Sequence, residues 1–254
     1  MTLFDLSGRK ALVTGGNGGI GFGIARGLAM AGAEVAIAGR NQVKNAAALE
    51  NLTGLGARAW ALTADVADET ACRAMVGEAG ERMGGLDILV NNAGISRGGR
   101  PETLSMDSWR AVIDANLEAV FVGSQAAWPL MKARGGGKII NVGSMYSLFG
   151  SSRTPAYAAS KGAVVQLTRS LAIAWAPDNI QVNILLPGWI ETEMTAPVST
   201  PGGAFSEAIV QRTPARRWGV PDDFAGPAVF LASAASDFVT GTSLPVDGGF
   251  AVQG

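Results

Sequence analysis

Short, almost wholly apolar runs separated by helix-patterned stretches place the tightest limit on how this chain folds. The runs are KALVT (10–14), EVAIAG (34–39), Ala57 to Ala64, LDILVNNAG (86–94), KIINV (138–142), IQVNILLPG (180–188) and a last one near Ser243 to Val246. A strand with one wet face alternates polar and apolar side chains. Runs that skip the alternation are buried on both faces, the habit of a parallel sheet covered by helices. Between the runs, Ile20, Ile24 and Leu28 repeat at helical spacing, NQVKNAAALENL follows the second run, and Glu69 to Met83 reads as a helix capped by Asp68. Further helices are expected from Ser105 to about Met131, broken near Asp114 or Pro129, then over 157–175, after Gly203, and from Pro221 to Ser233. About seven strands, with no internal repeat and no linker, predict one doubly wound α/β domain over residues 1–254. A (β/α)₈ barrel fits the length but needs eight similar units.

Composition narrows the chemistry. Hydrophobic residues make up 48% of the chain and charged ones 16%, so the surface is short of charge and is expected to continue into subunit interfaces. A net charge of -1 gives nucleic acid and anionic lipid nothing to hold, and ARR at 215–217 is too short to change that. No stretch reaches the roughly 18 unbroken apolar residues of a membrane span. The opening MTLFDLSGRK does not read as a signal peptide, and the lone Cys72, expected to be a buried small hydrophobe, fits a reducing compartment. The expected setting is cytoplasmic, without membrane or nucleic-acid partners. With no histidine and one cysteine, the common zinc sites and histidine triads drop out. No metal is expected, and chemistry falls to Tyr, Lys, Ser, Asn, Asp, Glu or a cofactor.

The first loop, TGGNGGIG (14–21), packs five glycines between a strand and a helix. Gly16, Gly18 and Gly21 satisfy G-x-G-x-x-G, and Thr14, Gly15, Gly19 and Gly21 satisfy T-G-x-x-x-G-x-G. Glycines let the backbone approach a pyrophosphate whose charge meets the free N–H groups of the helix start, so a Rossmann-type dinucleotide site is expected here. An NAD site usually ends its second strand in an acid that bonds the ribose. Here Gly39 holds that place and Arg40 follows, a fork suited to a 2′-phosphate, so NADP(H) is expected to be preferred with NAD(H) possible. In TPAYAASKGAV (154–164), Tyr157 and Lys161 stand four apart and so share a helix face.

With TGGNGGIG, NNAG (91–94), Asn116, Ser144, Tyr157 and Lys161 together, the chain resembles the classical short-chain dehydrogenase/reductases along essentially its whole length. The resemblance implies a seven-stranded sheet, a homotetramer, and catalytic roles for Ser144, Tyr157, Lys161 and Asn116. It places Thr14, Gly15, Asn17, Gly19, Ile20 and Gly21 in the cofactor loop and Asp65 and Val66 at the adenine. Asn92, Ala93 and Gly94 would stand beside the cofactor, and Pro187, Gly188, Ile190 and Thr192 near the nicotinamide. Asn116 would link Lys161 to solvent through a water.

The acid–base logic follows. A free tyrosine, with a pKa near 10, is a poor base at neutrality, and a nearby ammonium together with a cationic nicotinamide is expected to lower it. Tyr157 would then take the alcohol proton in oxidation and return it to the carbonyl oxygen in reduction, with Ser144 bonded to the same oxygen. Lys161 would also reach the nicotinamide ribose. Ser96, Arg97, Tyr146, Phe149, Arg153, Trp189 and Met194 flank the place for substrate, and the segment 189–212 reads as a lid. The expectation is an NADP-preferring oxidoreductase for a small alcohol or ketone such as a sugar, sugar acid or polyol. A 3-oxoacyl-carrier-protein reductase, with Arg97, Arg100 and Arg153 as a basic patch opposed by Glu191 and Glu193, is the alternative. A dinucleotide-binding regulatory protein without turnover is the rival of another class.

Overall fold

The computed structural model describes residues 3–253; Met1, Thr2 and Gly254 lie outside the described residues. Seven strands form one parallel sheet: β1 (Lys10–Thr14), β2 (Glu34–Gly39), β3 (Ala59–Thr63), β4 (Ile88–Asn91), β5 (Gly137–Val142), β6 (Ile180–Pro187) and β7 (Ser243–Val246). Their order is β3-β2-β1-β4-β5-β6-β7. The chain winds outward from β1 to β3, then crosses back to β4, so β1 and β4 are neighbours whose onward loops diverge. A crevice must open above their C-terminal ends.

Period-two pleating sends neighbouring residues to opposite cores. Val13, Ile37, Val90 and Ile140 pack against α1 (Gly19–Met30), α2 (Gln42–Gly54) and α8 (Ala225–Ala232) through Ile24, Leu28, Leu52 and Leu231. Leu12, Ala36, Leu89 and Ile139 pack on the other face against α3 (Glu69–Met83) and the helix carrying Val122, Ala127 and Met131. The doubled burial explains why the strands skip alternation. Asp68 caps α3 as expected, accepting from Ala71 N at 2.8 Å.

The long helical region departs from expectation. It runs as α4 (Met106–Ile113), a π-helical turn (Asp114–Glu118) and α5 (Ala119–Ala133), with Pro129 carried inside α5. The interruption expected near Asp114 takes the form of a change of helix type, and none occurs at Pro129. At Asp114 the chain widens by one residue per turn and continues, and at Pro129 the packing of Ala127 and Met131 into the core holds the helix through one missing donor. Helix α6 (Pro155–Trp175) and α7 (Ala204–Arg212) complete the set.

Buried amides bind the centre of the sheet to α5 and α6. Asn91 Nδ2 donates to Ser124 Oγ (3.0 Å) and to Asn141 Oδ1 (2.9 Å), and Asn141 Nδ2 donates to Thr168 Oγ1 (2.8 Å). All four side chains are buried. Asn91→Ala takes a donor from two buried acceptors, Ser124 Oγ and Asn141 Oδ1, and is expected to cost about 2–4 kcal/mol, read as a lowered denaturant midpoint with unchanged slope.

Candidate active site

The crevice predicted by the strand order is a cleft of about 600 Å³, lined by the ends of all the central strands. Its floor is the glycine loop, fastened to the turn after β4. Thr14 Oγ1 accepts from Asn92 N (3.0 Å) and Ala93 N (3.1 Å), while Asn92 Nδ2 donates to Thr14 O (2.9 Å) and Gly15 O (3.2 Å). Gly15 has φ +62°, and a Cβ there would stand 2.7 Å from Asn92 Nδ2, so strain and space both demand glycine. Gly15, Asn17, Gly19 and Ile20 line the cleft. Thr14 and Gly21 sit behind that wall and shape it. The start of α1 carries no side-chain cap and no acid in its first turn. Its free N–H groups therefore suit the pyrophosphate of a dinucleotide, and the residues present fit that group.

At the end of β2, the Asn17 amide occupies the place that the acid of an NAD site would take beside Gly39. A Cβ would lie 2.4 Å from Asn17 Nδ2. Asn17 is held in that slot by Asn45 Oδ1 (2.6 Å), and buried Asn45 is anchored to Gly39 O and Leu62 O (2.9 Å each). Arg40, Asp65 and Val66 line this end, with Arg40 Nη1 3.6 Å from Asp65 Oδ2.

The opposite end brings Ser144, Tyr157 and Lys161 together, with Asn92, Ala93, Gly94, Pro187, Gly188, Ile190 and Thr192 around the same cleft. Ser144 follows β5 and opens a short 3₁₀ turn, where its Oγ accepts from Tyr146 N. Ser147 Oγ accepts from Ser144 N and donates to Lys161 O (2.8 Å), which fixes this turn to α6. Lys161 Nζ donates to Val142 O at 2.7 Å and lies 5.7 Å from the centre of the Tyr157 ring. Burial lowers the Lys161 pKa to about 8. Burial raises that of Tyr157, and a hydrogen bond with Ser144 opposes the rise without cancelling it. In the protein alone the ammonium is turned toward a carbonyl and desolvation of the phenolate dominates, whereas the expected lowering counted a cationic nicotinamide as well as the ammonium.

Asn116 does not line the cleft; it braces the wall from within. Fully buried in the π turn, its amide exchanges two hydrogen bonds with the backbone of Ile95 (2.8 and 2.9 Å) and donates to Ser160 Oγ (3.1 Å). The cleft also takes in Lys44, Arg97, Glu193 and Met194. Lys44 was not a site candidate, although it lies one helical turn beyond Arg40, and Glu193 entered only as a charge set against the basic patch. Tyr146, Phe149 and Trp189 stand outside the lining and form aromatic packing instead. Tyr146 is edge-on to Tyr157 and to Trp189, and Trp189 meets Phe205 and Trp218. Cys72 is buried, as expected, and burial pushes its thiol up to about 11. Among the described residues no cluster of three or more acidic, cysteine or histidine side chains could hold a metal, and no helix is long and apolar enough to cross a membrane.

The lowered Lys161 pKa has a measurable consequence. Between about pH 8 and the ordinary lysine value of 10.5 the unfolded chain holds more protons than the folded one, so this residue makes stability rise with pH across that window. Lys161→Met is expected to remove up to about 3 kcal/mol of that rise, seen as a flatter plot of unfolding free energy against pH.

Comparison with known proteins agrees with this geometry. A sequence model of the family described as enoyl-(acyl carrier protein) reductase matches residues 15–251. The 2-dehydro-3-deoxy-D-gluconate 5-dehydrogenase of Dickeya dadantii (strain 3937) is 45% identical over 251 residues, covering 98% of each chain. The gluconate 5-dehydrogenase of Gluconobacter oxydans (strain 621H) is 42% identical, covering 99% of this chain and 98% of its own. The crystal structure of a gluconate 5-dehydrogenase from Burkholderia cenocepacia J2315, in complex with NADP and tartrate, superposes with a TM-score of 0.94 at 45% identity over 98% of both chains. With its parallel sheet order, its glycine loop and a likeness that runs over nearly the full length, this chain belongs to the classical short-chain dehydrogenases/reductases and is an NAD(P)(H)-dependent oxidoreductase.

Proposed function

We propose that this enzyme interconverts a secondary alcohol and a ketone on a small sugar acid of the gluconate type, with NADP(H) preferred over NAD(H). The observation that carries the substrate class is Arg97, a cation on the same cleft as Ser144 and Tyr157. Its loop is fastened beside the start of α6 by Gly99 N donating to Arg153 O (2.8 Å), which suits it to meet a substrate carboxylate near the reacting carbon. The end-to-end likeness to gluconate-type dehydrogenases supports the same class.

The glycine loop residues Gly15, Asn17, Gly19 and Ile20 would hold the pyrophosphate, Arg40 the 2′-phosphate, and Asp65 and Val66 the adenine. Asn92, Ala93, Gly94, Pro187, Gly188, Ile190 and Thr192 would frame the nicotinamide, which when bound supplies hydride to a ketone or accepts it from an alcohol. Tyr157, kept protonated by its burial, gives its phenolic proton to the carbonyl oxygen in reduction, and in its phenolate form it takes the hydroxyl proton in oxidation. Ser144 bonds the same substrate oxygen. Lys161 is charged at neutrality yet close enough to its own titration to replace the proton at the Tyr157 oxygen. Asn116 is a positioning residue: it holds the Ile95 wall against α6, so that the cofactor turn and the tyrosine keep one spacing.

Residues 189–212 act as a lid over this cleft in our reading, with Thr192 and Met194 on its inner side. A homotetramer built through α5 and α6 would cover the exposed Phe121 and Ile173. The acyl-carrier reading is less well supported, because Arg100 uses its guanidinium on Glu102 and Arg153 stays outside the lining, leaving Arg97 alone.

Absorbance at 340 nm with keto-gluconates, gluconate and neutral polyols tests the proposal. Tyr157→Phe is expected to lower kcat at least 10³-fold while cofactor binding stays within a few-fold. Arg97→Met is expected to raise KM for gluconates tenfold or more and leave neutral polyols unchanged. Arg40→Ala is expected to weaken NADP(H) by about tenfold against NAD(H). Activity confined to uncharged substrates would end the sugar-acid reading.

A further inference from the structure

Four charged side chains meet at the adenosine end of the cleft and cancel in pairs. Arg40 faces Asp65, and Lys44 is paired with Glu193. Arg40 ends the β2 corner and Lys44 lies in the first turn of α2, so both cations project over the same end of the cleft. Glu193 arrives from 149 residues away, on the stretch after β6 that also brings Thr192 and Met194 to the cleft. The Lys44–Glu193 pair therefore ties that stretch across the opening to the opposite wall.

We infer that the Lys44–Glu193 ion pair is a latch released by the cofactor's 2′-phosphate: Lys44 is a second cation for that phosphate, and Glu193 covers it until the phosphate arrives. The inference rests on the reading of Arg40 given above. Lys44 is 44% exposed and Glu193 80%, and a single exposed pair shifts an equilibrium by a factor of only about two to five. A phosphate ester carries close to two charges and three acceptor oxygens, enough to displace one solvated carboxylate from the ammonium. A ribose hydroxyl carries no charge and leaves the pair in place.

Release at Glu193 reaches the nicotinamide side through a compact turn. Thr195 Oγ1 accepts from Thr192 N (3.0 Å) and donates to Ile190 O (2.6 Å), so residues 190–195 move as one piece. That piece leans on the start of α1: a Cβ at Gly19 would touch Thr192 Cγ2 at 3.3 Å. The latch thus reports the phosphate to the residues that border the reacting end. It makes Glu193 a specificity-determining residue, because a cofactor without the 2′-phosphate must bind beneath a tethered segment.

Adenosine 2′,5′-bisphosphate and 5′-AMP separate the parts, since neither carries nicotinamide. Binding is measured by calorimetry and backbone amide exchange is followed over residues 191–200. Wild type is expected to bind the bisphosphate at least tenfold tighter than 5′-AMP. Glu193→Gln should tighten the bisphosphate about two- to fivefold, Lys44→Met should weaken it about tenfold, and neither should change 5′-AMP by more than twofold. In the Lys44→Met background Glu193→Gln should have no effect. The bisphosphate, and not 5′-AMP, should speed exchange over 191–200, and Glu193→Gln should be fast without any nucleotide. If the bisphosphate binds tighter but Glu193→Gln leaves it unchanged, or exchange over 191–200 does not rise, the latch is wrong while the role of Arg40 stands. If wild type binds both nucleotides equally, both fail.

Discussion

A parallel sheet that reverses direction between β1 and β4 opens a crevice, and the bonds that set its width are those between Thr14 and the Asn92–Ala93 turn. Two strand ends that diverge have no ladder to hold them, and the hydroxyl of Thr14 and the amide of Asn92 replace it. The glycine loop stands on one side of this clasp and the Gly94–Ile95 wall on the other. Asn116 and Ser160 carry the constraint onward to α6, and Ser147 joins α6 to the Ser144 turn. Each side chain proposed for the chemistry is thus placed by a neighbour that never reaches the substrate, and the cleft inherits the rigidity of the core beneath it.

Burial in that rigid setting decides the protonation states. Tyr157 and Lys161 lie close enough to suggest a phenolate stabilised by an ammonium, yet desolvation is the first cause of both shifts and it favours the neutral form of each. The site is therefore set with its proton on oxygen and its amine near the point of losing one. The two values move apart, Tyr157 upward and Lys161 down to about 8, so the ammonium is the stronger acid of the two and gives up a proton downhill to a Tyr157 phenolate, restoring the phenol that reduction needs.

Much of the fold was legible because two-sided burial removes polar residues from the strands, and that removal is visible without coordinates. The bounds of α3 and its Asp68 cap, the seven strands, and the shared face of Tyr157 and Lys161 all follow from local pattern. What was not legible depends on contacts distant in sequence. DANLE carries no glycine or proline to announce a π turn, and Pro129 reads as a breaker until the packing of Met131 is known. Lys44 carries no local signal of its pairing, because Glu193 is so far along the chain. Thr14 and Gly21, placed by motif in the cofactor loop, stand behind the wall of the cleft and shape it, which only the Thr14–Asn92 contacts reveal.

Asn17 and Gly39 bear together on the cofactor preference of this enzyme. The slot where an acid would recognise a ribose is filled by a neighbour's amide, itself anchored by buried Asn45. An acid introduced there by one substitution would meet the Asn17 amide and have to turn it away from Asn45. Substitution at 17 alone would abandon Asn45 without admitting the new group. The two positions are coupled: an acid at 39 is admitted only as the Asn17 amide swings away from Asn45.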